Sequence, residues 1–237
     1  MNERFVFAAS LGICLVIAYT LKKLSKLGKG AADKILMGLM ALVLAFYCYK
    51  TLDRVPAWES ELTLNQAAIK VSKNSARANS FMATALFNSY KETTDRNERK
   101  RLLGEAMPYA QKATQIHPIY YNGHLMRTGI AAEQYKMNRK LDPLLTEFKS
   151  AMLTRPDIKF IEDYLLYIND REDRNKMMAF YKDVCITNMI EKQQKYTWAI
   201  KYLAMAYKMD PNDPEIRRGL RTAYIGLGQM DKANSFR

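Results

Sequence analysis

Residues 196–215 read YTWAIKYLAMAYKMDPNDPE, and this stretch decides the fold. Ala199, Leu203 and Ala206 are spaced by four and then three residues, so they share one face of a helix. Pro211 follows five residues later, where the helix must have ended. A small, bulky, small face closed by proline describes a helix approached closely by a second helix backbone. The same spacing recurs upstream, at Ala106, Ala110, Ala113 and Pro118, and with leucine in first place at Leu144, Phe148, Ala151 and Pro156. Pro214 then opens a further helix that ends at the turn Gly226-Leu227-Gly228-Gln229-Met230-Asp231, with Ala233 in its partner.

Recurring helix-turn-helix units with small residues at their contacts are the signature of a solenoid. The stretch 196–215 closely resembles the second helix and turn of the tetratricopeptide repeat. The period is not strict, because Pro118 to Pro156 is 38 residues and Pro156 to Pro211 is 55. Residues 91–101 read as an insertion that lengthens a turn, Pro108 should start or kink a helix, and 158–185 is helical with weak consensus. Residues 58–71 form an amphipathic helix with Trp58, Leu62, Ala68 and Val71 near one stripe. The expected fold is all-α, an irregular solenoid of three to five helical pairs over residues 56–237.

Upstream of Val55-Pro56 the chain changes character. It holds 37 Lys+Arg against 24 Asp+Glu, a net charge of +13, and residues 1–57 carry eight basic and three acidic residues of these. Two uncharged runs, Phe5–Leu21 and Ile35–Tyr49, read as a transmembrane hairpin over 1–55, with spans of about 4–22 and 33–50. Lys22, Lys23, Lys26, Lys29 and Lys34 lie between them, opposed only by Asp33. Positive charge in a short loop stays cytoplasmic, so both termini and the repeats are expected to be extracytoplasmic in a multi-pass membrane protein. Part of the basic charge then reports topology. Tyr120, Tyr121 and Tyr202 beside cations are repeat core, and no nucleic acid partner is expected.

No catalytic, cofactor or metal motif is present. His117 and His124 are the only histidines and lack a cysteine or acidic residue at ligand spacing. Cys185 stands alone in the repeat region, and such a cysteine reads as a small buried hydrophobe. The expected partners are a protein or extended peptide in the repeat groove and the membrane itself. First-helix positions Asn79, Asn122, His124 and Arg127 are the candidates for lining that groove.

Two segments carry a more specific resemblance. Glu3, Arg4, Phe5, Phe7, Ser10, Gly12 and Cys14 in NERFVFAASLGICLVIAY resemble the approach to a late membrane helix in the transmembrane and tetratricopeptide-repeat family of O-mannosyltransferases. Alanine stands at position 9 where that family's segment has proline. Arg54, Trp58, Glu61, Leu62, Ala68, Val71, Asn74, Ala76 and Asn79 resemble the same family's junction between membrane and repeats. The resemblance implies a glycosyltransferase of the GT-C type that takes mannose from a lipid-linked donor. Its acidic catalytic residue would lie in a first extracytoplasmic loop that has no counterpart here. By that resemblance, the chain corresponds to the last two membrane helices and the repeats, and acts as an interaction module. The alternatives are a transferase subunit or fragment completed in trans by the missing membrane region, and a scaffold of a cell-envelope complex.

Overall fold

The computed structural model describes residues 11–12, 14–20, 22–23 and 31–236, and its contacts divide the chain into two compact units, Met1–Glu59 and Ser60–Arg237.

In the first unit, residues 14–20 are helical, and α1 (Ala31–Arg54) runs into a 3-10 turn at Val55–Trp58 with Pro56 as its second residue. Among the described residues, no helix is long and apolar enough to cross a membrane. This overturns the expectation of two transmembrane helices. The reason is length: α1 carries Lys34, Lys50, Asp53 and Arg54, and its uncharged stretch 35–49 spans only about 22 Å at ~1.5 Å per residue, against about 30 Å of hydrocarbon. The orientation drawn from the connecting lysines needs two spans and falls with them. Residues 1–10, 13, 21 and 24–30 lie outside the described residues, and with them about half of the first expected span, Lys26, Lys29 and the matching positions Glu3 to Ser10.

The second unit is all helix and turn. Its elements are α2 (Glu61–Val71), α3 (Ala76–Glu92), α4 (Arg96–Ile116), α5 (Tyr121–Asn138), α6 (Leu141–Thr154), α7 (Lys159–Asn169), α8 (Arg174–Tyr181), a π-helical continuation of α8 (Lys182–Lys192), α9 (Tyr196–Met209), α10 (Pro214–Gly226) and α11 (Met230–Asn234). Side-chain caps set several starts by satisfying backbone N–H groups that have no partner within the helix. Ser60 and Thr63 form a reciprocal capping box, so α2 begins at Glu61 and leaves Trp58 outside, 57% exposed in the 3-10 turn. Val71, expected on the buried stripe, is 86% exposed. Asp95 accepts from the Glu98 N–H at 2.7 Å, and Asp213 accepts from those of Glu215 and Ile216 at 3.0 Å.

Residues 91–101 are not an inserted loop. The turn between α3 and α4 takes only Thr93, Thr94 and Asp95, and the remainder extends the two helices. Pro108 neither starts nor ends a helix, because α4 continues through it to Ile116.

Sequential neighbours pack together from α2 to α6 and again from α8 to α11, and several helices also pack against the next but one: α3 on α5, α5 on α7, α7 on α9, α6 on the π-helix, and the π-helix on α10. That pattern is a solenoid. The nine small and bulky positions read from sequence, Ala106, Ala110, Ala113, Leu144, Phe148, Ala151, Ala199, Leu203 and Ala206, are all at 1% exposure or less. The irregular period also has a structural origin. Between Pro118 and Pro156 lie two helices, α5 and α6, whereas the interval to Pro211 holds α7, α8 with its π-helical continuation, and α9. Counted from α3, α9 therefore falls in the row of first helices while carrying the second-helix signature. The core forms two clusters, one on α3, α4 and α5 and a larger one reaching from α5 to α10, and Met107 packs against both.

Candidate partner-binding surface

The four residues expected to line a groove occupy different environments. Asn79 is buried at the start of α3, and its Nδ2 donates to the carbonyls of Lys73 (3.0 Å) and Ser75 (2.8 Å). It holds the α2–α3 turn and does not face an open surface. His124, 2% exposed, donates from Nε2 to the Pro118 carbonyl at 2.6 Å and so closes the α4–α5 turn. Burial holds its pKa below the usual histidine value, and the charges of Arg127 and Arg155 push the same way. The ring is therefore the neutral Nε2–H tautomer at physiological pH. Asn122 is exposed on the first turn of α5.

Arg127 is half-buried and fully engaged. Its Nε donates to Glu147 at 2.6 Å, one terminal nitrogen lies 2.5 Å from the same carboxylate oxygen, and the other donates to Thr114 Oγ1 at 3.0 Å. Gln111 Nε2 donates to the second Glu147 oxygen at 2.8 Å. One side-chain network thus ties α4, α5 and α6 together across consecutive repeats.

Beside this network lies a cleft of about 300 Å³ between α4, α5 and α6, lined by Met107, Gln111, Gln134, Asn138, Thr146 and Glu147 over a floor that includes Leu144. Three carboxamides line it: Gln111 donates to Glu147, Gln134 to the Leu103 carbonyl, and Asn138 accepts from the Lys140 N–H, which leaves two amide oxygens and the Asn138 amide nitrogen for the groups of a peptide backbone. Gln134 and Asn138 escape the sequence reading because they occupy no position of the repeat signature. Periodicity marks the buried stripe, and it is silent about which exposed face turns inward.

Among the described residues, no group of three His, Cys, Asp or Glu is placed to hold a metal. Cys185 is fully buried, and burial pushes its thiol far above the usual range, so it is an inert core residue. Lys195 donates to the Leu153 carbonyl, and its pKa is lowered by burial.

No protein-family model matches the chain. It is similar to Protein O-mannosyl-transferase TMTC3 of Homo sapiens, 29% identical over 150 residues, which is 60% of this chain and 15% of that protein. The counterpart in Mus musculus is also 29% identical over 150 residues (63% of this chain, 15% of the relative), and Tmtc3 of Drosophila melanogaster is 25% identical over 123 residues (52% and 12%). The matched stretch is thus a small part of each relative, which is far longer than this chain. Over about half its length and more, this chain, with no strand among its described residues, matches proteins named O-mannosyl-transferases, which bears out the family resemblance read from its motifs.

Proposed function

We propose that the helical unit is a protein-interaction module that holds an extended polypeptide segment, and that it works as the peptide-presenting part of an O-mannosyl-transferase system. The observation that carries this reading is the amide-lined cleft shared by α4, α5 and α6 within a solenoid. Helical solenoids offer long surfaces assembled from successive repeats, and carboxamides along such a surface can pair with main-chain groups while leaving sequence preference loose. Presentation next to a transferase would raise the effective concentration of acceptor polypeptide. The similarity to O-mannosyl-transferases supports this placement. The sugar chemistry itself, in this reading, belongs to a catalytic region outside the helical unit.

Association with a membrane belongs to the same reading. α1 exposes Leu39, Met40, Leu42, Val43, Leu44 and Phe46, an apolar surface that needs a cover of lipid or protein.

A photocrosslinking amino acid at Thr146, an exposed cleft position, tests the module. In native membranes it should yield adducts with polypeptides that are weakened by Gln134→Ala with Asn138→Ala. The same crosslinker at Thr222, exposed on α10, serves as the control. Equal adducts at both positions, or none at Thr146, would sink the reading.

A further inference from the structure

A second cleft, of about 450 Å³, opens between the end of α3, the start of α4 and the last turns of α5, and its lining includes Tyr90, Thr94, Arg96, Arg99, Glu133 and Lys136. Three of these side chains are cationic and one is anionic. The arrangement is built. The Tyr90 hydroxyl donates to Glu133 at 2.7 Å and accepts from Arg99 at 2.7 Å, and the Arg99 guanidinium lies over the Tyr90 ring, 4.5 Å from its centroid. Lys136 donates to the other Glu133 oxygen at 2.7 Å. That single carboxylate is therefore spent on tyrosine and lysine.

What remains is unmet donor capacity. Arg99 commits one terminal nitrogen to Tyr90, leaving the other for the cleft, and Arg96 makes no ion pair among the described residues. Two guanidiniums one helical turn apart, with a lysine and the Thr94 hydroxyl beside them, suit an oxyanion with several acceptor oxygens. We propose that this cleft binds a phosphate group, carried on a lipid headgroup or on a small soluble phosphoester. The site is separate from the amide-lined cleft and does not depend on the peptide-binding reading.

The test uses the full chain and inorganic phosphate, followed by calorimetric titration at fixed ionic strength. Arg96→Gln removes a side chain that holds no other part of the structure and should weaken binding about tenfold, the scale of one charge-assisted hydrogen bond. Glu133→Gln removes the only carboxylate and should tighten it. Arg218→Gln, an exposed cation on α10, should leave it unchanged. Vesicles of phosphatidylcholine with and without phosphatidic acid separate the two sources. Retention on phosphatidic acid that Arg96→Gln abolishes marks a lipid headgroup, and phosphate binding without vesicle retention marks a soluble phosphoester. Binding of neither, or equal losses from Arg96→Gln and Arg218→Gln, overturns the proposal.

Discussion

Among single residues, His124 shows how a polar side chain becomes part of the frame. Its ring is buried, its Nε2 proton is committed to the Pro118 carbonyl, and Nδ1 has no partner. Protonation of Nδ1 would place a charge in that interior beside Arg127 and Arg155. Because the folded-state pKa is depressed, the unfolded chain binds the proton first, and stability is lost as pH falls through and below the ordinary value near ~6.5. The thermal midpoint is expected to drop between about pH 7.5 and 5.5, above the range where carboxylates titrate. In His124→Gln, which keeps a donor for Pro118, that drop should be smaller. Circular dichroism melts across the pH range decide it, and parallel curves for the two proteins would refute the assignment.

The residues that could be read from sequence were those whose chemistry is set by helical spacing. Ala106, Phe148 and Ala206 are buried because a 3.6-residue period puts them on the inner face. Asn79 and His124 sit at comparable repeat positions, yet each is drawn inward by carbonyls of the preceding turn, four to six residues upstream, a local geometry that helical periodicity does not encode. Gln134 and Asn138 became candidates only through the neighbours that α4 and α6 supply.

At the level of elements, close helix approach is written in glycine as well as alanine. At Gly219 on α10, a Cβ would lie 2.9 Å from Ile186 Cγ1 and 3.2 Å from Leu203 Cδ1. The π-helix, α9 and α10 meet at this point, and overpacking of this kind costs ~1–3 kcal/mol. At Gly104 on α4, nothing lies within 4 Å of the same added carbon, and alanine is the better helix former by ~0.5–1 kcal/mol. Gly219→Ala should therefore destabilise, and Gly104→Ala should stabilise by up to about 1 kcal/mol. Denaturant unfolding of the two variants measures both, and changes of the same sign would contradict the packing described.

Across the helical unit, the two core clusters divide the solenoid into a smaller part on α3, α4 and α5 and a larger part from α5 to α10. In an array of nearest-neighbour contacts, damage stays local. Leu86→Ala, removing a side chain at 2% exposure from the smaller cluster, should cost ~2–5 kcal/mol there. Hydrogen exchange is then expected to rise across α3 and α4 while α9 and α10 keep their protection. A uniform rise over every helix would mean a single cooperative core.

The amino-acid sequence alone carries the helicity, the inner faces and the family resemblance, because period, proline and small-residue positions act locally along the chain. It also suggested spans that the folded helix does not supply, since an apolar run counts residues and a membrane demands length. The folded chain alone shows that three helices fill the 55-residue interval and that amides and cations gather in two separate clefts. Those outcomes depend on which helix lies beside which, and in a solenoid of unequal repeats that is settled by packing between elements distant in sequence.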